Sequence, residues 1–216
     1  MTVSSVMTKN PFTVLESDPV TDAQSLMRRE KIHRLPVVDH HGKLIGIVSE
    51  KDLLYATPSP ATTLNVYEMS NLLSKLKVST VMTKAKDVIS VSPDTLVEDA
   101  ARLLVDNNIG GLPIIDNDKL VGIVTESDLF RLLIDLFGTR RRGVRATLRV
   151  PERAGELADA ARAVTDAGGN IISVGTFSGN DMTNAVMILK VEGMSEDRLR
   201  QVLGPLVVEV MDVREA

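Results

Sequence analysis

Two stretches of the chain carry a hydroxyl and a carboxylate at one fixed spacing: Gly46-x-x-Ser49-x-x-Asp52 and Gly122-x-x-Thr125-x-x-Asp128. In each, the hydroxyl closes an apolar strand and the carboxylate follows three residues later, where a helix begins, so both face one opening. Ser49 or Thr125 can donate to a phosphate there, helped by backbone N–H groups and the positive end of the helix dipole. Asp52 or Asp128 has two oxygens, enough to accept both hydroxyls of a ribose. Apolar residues on either side would enclose a flat base. The same residues also admit a plain structural role, with the carboxylates capping helices and the hydroxyls closing strands.

A second pair of candidates lies just upstream. His33-Arg34 precedes Leu35-Pro36, whereas Gly110-Gly111 precedes Leu112-Pro113. A basic pair can hold phosphates, and two glycines offer only backbone and space. Two inequivalent clefts are therefore expected, the His33-Arg34 side preferring the more phosphorylated ligand; a solvated surface pair is the alternative.

Catalytic chemistry finds little to work with. The three histidines are His33, His40 and His41. The last two sit in a turn whose counterpart is Asn117-Asp118, which reads as a loop tip, and no metal site is expected. The chain contains no His-Glu-x-x-His, Gly-x-Ser-x-Gly or Gly-Lys-[Ser/Thr] motif. It also has no cysteine, which excludes disulfides, thiolate metal sites and a Cys nucleophile. Carboxylates are scattered over polar helix faces. An enzyme is not expected, nor a covalent cofactor.

Composition narrows the partners. Aromatic residues are 3% of the 216, too few for base-stacking platforms. A net charge of −4 argues against nucleic acid, despite Arg140-Arg141-Arg142, which reads as a solvated hinge. No signal-like apolar stretch opens the sequence and no apolar run reaches the length of a membrane span, so a cytoplasmic protein is expected.

What must position the hydroxyl–carboxylate pairs is a repeated unit. Val6-Met7-Thr8-Lys9 recurs as Val81-Met82-Thr83-Lys84, Leu35-Pro36-Val37-Val38-Asp39 as Leu112-Pro113-Ile114-Ile115-Asp116, and Leu44–Leu53 as Leu120–Leu129. Each copy reads strand, helix, strand, strand, helix. Asp18, before Pro19, is placed to cap a helix with Val20, Ala23, Leu26 and Met27 on one face. Asp94 is the equivalent cap, with Val97, Ala100, Ala101 and Leu104 inside. The second helix of the first copy is expected to open at Asp52. Between the copies, Thr57–Ala61 reads as a linker and Asn65–Leu76 as an amphipathic helix carrying Tyr67, Leu72, Leu73 and Leu76. Two such units should pack about a pseudo-twofold axis, leaving clefts between them.

The Val-Met-Thr, Leu-Pro-[Val/Ile]-[Val/Ile]-Asp and Gly-Ile-Val-[Ser/Thr]-Glu-x-Asp-Leu blocks resemble the cystathionine-β-synthase (CBS) domain in tandem, over residues 1–137. The resemblance implies a paired module whose clefts hold AMP, ADP, ATP or S-adenosylmethionine as a regulatory ligand. By match to the motif, Ser49, Asp52, Thr125 and Asp128 are its contacts. Thr13 and Val14, with their partners Ser90 and Val91, are the strand residues that would line the adenine.

After Gly138–Gly143 the pattern restarts as βαββαβ, a ferredoxin-like order. Val144, Ala146, Leu148 and Val150 alternate as a strand, a first helix ends near Gly168-Gly169, and Ser195 can cap the second. Arg153-Ala154-Gly155-Glu156-Leu157 and Gly169-Asn170-Ile171 resemble the ACT domain, a module that binds amino acids and dimerises through its sheet. Ala154 stands where that family usually has Pro. By that match Gly155, Glu156, Leu157, Asn170 and Ile171 are candidate amino-acid contacts, a dimerisation domain with an empty site being the alternative. CBS pair and ACT domain together are similar to proteins of the acetoin-utilisation type.

The expected fold class is thus α+β, a tandem CBS pair plus a C-terminal ferredoxin-like ACT domain. Its segments are 1–56 (first repeat), 57–77 (connection), 78–137 (second repeat), 138–143 (linker) and 144–216 (ACT-like domain). The expected function is a homodimeric ligand sensor acting on a regulated protein; the alternative is a constitutive dimeric scaffold that ignores metabolites.

Overall fold

The computed structural model describes residues 1–56, 65, 68 and 73–216. They form two compact units, Met1–Leu129 and Phe130–Ala216. Most of the expected connecting helix Asn65–Leu76, and the linker Thr57–Ala61, lie outside the described residues; residues 73–75 are helical.

In the first unit, strands Thr8–Lys9 (β1) and Val14–Leu15 (β2) precede helix Val20–Glu30 (α1). Strands Arg34–Val38 (β3) and Leu44–Ser49 (β4) then lead into helix Glu50–Ala56 (α2). The second copy follows with Thr83–Lys84 (β5), Val97–Asp106 (α3), Gly111–Asp116 (β6), Lys119–Thr125 (β7) and Glu126–Leu136 (α4), the helix in which the first unit ends at Leu129. The counterpart of β2 is a single parallel bridge, Val91 to Ile114. Apolar residues at helical spacing form the buried stripes: Val20, Ala23 and Met27 on α1, and Val97, Ala100 and Leu104 on α3.

The copies are not self-contained. One sheet has the order β2-β3-β4-β5 and the other β1-β7-β6, so each copy's Thr-Lys strand completes the sheet of the other copy. Thr83 and Lys84 pair with Ile47 and Gly46; Thr8 and Lys9 pair with Ile123 and Gly122. The cores follow the same exchange. Val78 is buried with Leu35, Val48 and Leu53 of the first copy, whereas Val3 is buried with Leu112, Ile114 and Val124 of the second.

This exchange accounts for Gly46 and Gly122 in the recurring motif. A Cβ at 46 would lie 2.6 Å from the Thr83 carbonyl oxygen and 2.7 Å from Met82 Sδ. A Cβ at 122 would press on Met7 Sδ, with the Thr8 oxygen at 3.2 Å. Both glycines admit the incoming Met-Thr segment rather than a ligand.

Three expected helix starts are corrected. Helix α1 begins at Val20 behind Pro19, and Asp18 does not cap it. Asp18 Oδ2 instead accepts the Leu15 N–H at 2.8 Å, closing the turn after β2. Helix α3 likewise begins behind Leu96 with no side-chain cap, so Asp94 is not its cap. Helix α2 opens at Glu50, two residues before Asp52.

The second unit is the ferredoxin-like βαββαβ order: Val144–Pro151 (β8), Glu156–Asp166 (α5), Asn170–Ser178 (β9), Asn184–Glu192 (β10), Glu196–Leu203 (α6) and Glu209–Glu215 (β11). The sheet is antiparallel with the order β11-β8-β10-β9. Strict alternation along β8 buries Val144, Ala146, Leu148 and Val150 against Val164, Leu199 and Leu203. Ser195 Oγ accepts the Arg198 N–H at 3.3 Å and caps α6. Among the described residues, no helix is long and apolar enough to cross a membrane.

Candidate functional site

Ser49 ends β4 and Asp52 stands in the first turn of α2, which brings their polar atoms together at once. Asp52 Oδ2 accepts from the Ser49 N–H at 2.8 Å and from the Ser49 hydroxyl at 2.6 Å. In return Ser49 Oγ accepts the Asp52 N–H at 3.3 Å. This is a capping box, each residue satisfying an otherwise orphaned donor of the other. In the second copy Asp128 Oδ2 likewise accepts from the Thr125 N–H at 2.9 Å and hydroxyl at 2.7 Å. The arrangement thus puts the hydroxyl residue ahead of each helix and the carboxylate inside its first turn, so Asp52 and Asp128 are not themselves the N-caps. It leaves the Ser49 hydroxyl proton on Asp52 rather than aimed at a phosphate, and none of these bonds uses Asp52 Oδ1.

A cavity of about 620 Å³ opens beside the first box. The first copy supplies His33, Arg34, Ile47, Ser49 and Asp52. The second supplies Asp87, Val88 and Ile89, with Asn107–Gly111 at the end of α3. The exchange of strands is what sets the copies face to face here: β5 pairs with β4, and the chain leaving β5 carries Val88 and Ile89 to the rim.

The cavity thus gathers four of the ten nucleotide candidates: His33, Arg34, Ser49 and Asp52. Thr125 and Asp128 hold the equivalent position in the other copy, outside this lining. Thr13, Val14, Ser90 and Val91 are also outside it. Val14 is 6% exposed and sits in the first copy's core, because its pairing with Val37 turns it inward. Val91 packs on the second core. None of the four lines this cavity, whereas Val88 and Ile89 do. The signal for those two was present as an apolar pair just ahead of the short strand, in register with Pro11 and Phe12.

The basic pair divides its work. His33 Nδ1 lies 2.8 Å from the Glu50 carboxylate, an exposed pair at the rim. Arg34 is half-buried, and its guanidinium lies on the backbone of Gly110 and Gly111. Burial holds the guanidinium below its ordinary value, and the charge of Glu126 acts the other way. The His40-His41 turn is closed by Asp39, whose Oδ1 accepts from the His41 and Lys43 N–H groups. Among the described residues no His, Asp and Glu side chains cluster as a metal would require.

The second unit has its own cavity, about 450 Å³, lined by Pro151, Arg153, Gly155, Glu156, Leu157, Thr176, Phe177 and Met187 among others. Gly155 has φ 100°, and a Cβ there would meet nothing within 4 Å; its backbone conformation, not crowding, calls for glycine. Glu156 is buried and pairs with Arg153 Nε, so a carboxylate already occupies the start of α5. That hydrogen bond and charge raise the Arg153 guanidinium above its ordinary value. Asn170 and Ile171 are not part of this cavity. They pair with Glu192 and Val191 at one end of β9, while Thr176 and Ser178 pair with Met187 and Ala185 at the other. Asn170 and Thr176 stand six positions apart along β9, roughly 20 Å. Helix α5 returns antiparallel to β8, so one chain cannot bring its two ends together.

Paired β-α-β-β-α units with a cleft between them, followed in the chain by a ferredoxin-like unit, describe a class of regulatory, rather than catalytic, modules. The chain belongs to the CBS-domain family, which it matches over residues 3–59 and 78–135. Residues 142–214 match the TTHA0829-like ACT domain. Among solved structures it is similar to an acetoin utilization protein (AcuB) of Vibrio cholerae, at 35% identity and a TM-score of 0.54, covering 65% of this chain and 95% of that one. CBSX2 of Arabidopsis thaliana, solved in complex with AMP, is 35% identical with a TM-score of 0.51, over 62% of this chain and 96% of that one. The CBS pair of protein MJ0100, solved with 5-methylthioadenosine and S-adenosyl-L-methionine, is 29% identical with a TM-score of 0.51, over 65% and 98%.

Proposed function

We propose that the chain is a regulatory sensor that binds an adenosyl ligand, an adenine nucleotide or S-adenosylmethionine, in the cleft beside Ser49 and Asp52. The observation that carries this reading is the meeting of polar groups from one copy with an apolar rim from the other in one 620 Å³ cavity. Asp52 Oδ1 accepts from the ribose hydroxyls, Val88 and Ile89 cover the base, and His33 and Arg34 face the phosphates. The complexes of CBSX2 with AMP and of MJ0100 with adenosyl compounds support the ligand class. The Thr125–Asp128 box forms the second, inequivalent site. The protein acts as a cytoplasmic homodimer on a regulated partner and performs no catalysis of its own; an amino acid at Gly155–Leu157 supplies a second input.

Because a ligand must bind two arrangements unequally to shift them, the sensor requires measurable affinity. Differential scanning calorimetry with AMP, ADP, ATP and S-adenosylmethionine tests it. A ligand at 100 times its dissociation constant should stabilise by about 2.7 kcal/mol. The self-satisfied capping boxes favour the competing scaffold reading, which predicts no shift with any of the four.

A further inference from the structure

Arg34 and the glycines opposite it form a complementary pair across the two copies. A Cβ at Gly110 would lie 2.7 Å from Arg34 Nη1, and one at Gly111 would lie 2.6 Å from the same atom. The pseudo-symmetric counterparts of Gly110 and Gly111 are His33 and Arg34 themselves. One copy is emptied at the two positions where the other copy places a histidine and an arginine.

The glutamates show what this does to charge. Glu50 and Glu126 open α2 and α4, and each donates its N–H to the equivalent carbonyl, His33 at 2.9 Å and Gly110 at 3.4 Å. Glu50 has a partner in its own copy, the His33 ring, whose Nδ1 lies 2.8 Å from its carboxylate. Glu126 is tied to Gly110, which has no side chain to offer. The guanidinium resting on Gly110 belongs to Arg34 of the other copy, and burial has already stripped part of its water.

We infer that Arg34 is a cation shared between the two clefts, facing Glu126 through Gly110–Gly111 and drawn off by a phosphate entering beside Ser49 and Asp52. The inference rests on the nucleotide reading and adds its regulation. A phosphate in the first cleft competes with Glu126 for one guanidinium, and winning it leaves Glu126 uncompensated two residues from Asp128. Phosphate binding in one cleft thereby disfavours an anion in the other. Both charges keep some solvent contact, so the competition weakens with added salt.

The test is a cycle of AMP titrations by calorimetry at low salt, on the full chain carrying Asp128→Ala to silence the second cleft. Glu126→Gln removes the competitor and should tighten AMP about fivefold, the lower end of ordinary coupling between sites, while leaving adenosine unchanged. In an Arg34→Met background, the same Glu126→Gln change should do nothing. An equal gain in both backgrounds, or an equal gain for adenosine, overturns the shared cation while leaving the nucleotide reading intact. Absence of AMP binding to the unaltered chain sinks that reading and the inference together. Should Arg34→Met fail to fold, the AMP-against-adenosine contrast with Glu126→Gln still decides.

Discussion

Replacing Gly46 and Gly122 by alanine should destabilise the protein unequally, although the two glycines are equivalent by sequence. At 46 the new methyl meets a backbone oxygen, Thr83 O at 2.6 Å, as well as Met82 Sδ at 2.7 Å. A carbonyl held in the β4–β5 ladder cannot retreat without breaking the Ile47–Thr83 and Gly46–Lys84 pairing. At 122 the backbone oxygen stands off at 3.2 Å, and the close neighbour is the end of the flexible Met7 side chain. Overpacking of a buried site costs about 1–3 kcal/mol. The Gly46→Ala cost should sit at the top of that range and the Gly122→Ala cost near the bottom. For a chain of this length each kcal/mol moves Tm by about 2–4 °C. Scanning calorimetry should therefore show a drop of roughly 6–12 °C for Gly46→Ala and roughly 2–4 °C for Gly122→Ala. Met7→Ala should absorb most of the Gly122→Ala cost, because the methyl then enters the space left by sulfur. Met82→Ala should absorb little of the Gly46→Ala cost, since the carbonyl remains. Equal drops, the opposite order, or full rescue by Met82→Ala would refute the strand exchange as the reason for these glycines.

Further predictions concern ligand, core and pH. Asp52→Ala should abolish stabilisation by AMP at the first cleft and also remove a capping interaction of about 0.5–2 kcal/mol, both read from melting curves with and without nucleotide; undiminished protection would remove Asp52 from the site. Leu148→Ala, in the core of the second unit with no exposed surface, should cost about 2–5 kcal/mol by urea denaturation. Asp212 is held below its ordinary value, first by its hydrogen bond from Arg214, and Asp181 by its bond from Thr183. A lowered folded-state value stabilises above the ordinary carboxylate range, near pH 3.9, and that contribution disappears as pH falls through the lowered value. Asp212→Asn should flatten the acid limb of the urea-midpoint profile below about pH 4 and lower the plateau above it; an unchanged limb contradicts the assignment.

The repeat, the strand–helix order and the ferredoxin-like tail are legible because periodicity reports which face of each element is buried. Partnership between distant strands is not. Val-Met-Thr-Lys occurs in both copies, so the pattern fits a strand pairing within its own copy as well as one crossing over. The exchange decides where Val88 and Ile89 go, so the apolar side of the cleft was hidden with it. Asp18 shows another limit: an acid before Pro19 suits a cap, but the Leu15 N–H lies nearer and takes its carboxylate. Val14 shows a third, for a two-residue strand carries no alternation from which to tell core from cleft. Asn170 and Ile171 were placed by motif, while the length of β9 keeps them at the far end from Gly155.

Severing the chain midway through its connection would not yield a usable half. The upstream fragment would keep Thr8 and Lys9 with no ladder to join, while its own β4 lost the neighbour supplied by Thr83 and Lys84. Each fragment carries what the other lacks, so mixing the two should regenerate the pair where either alone aggregates. Duplication in this protein is thus less a doubling of one foldable object than the joining, on a single backbone, of two mutually dependent pieces.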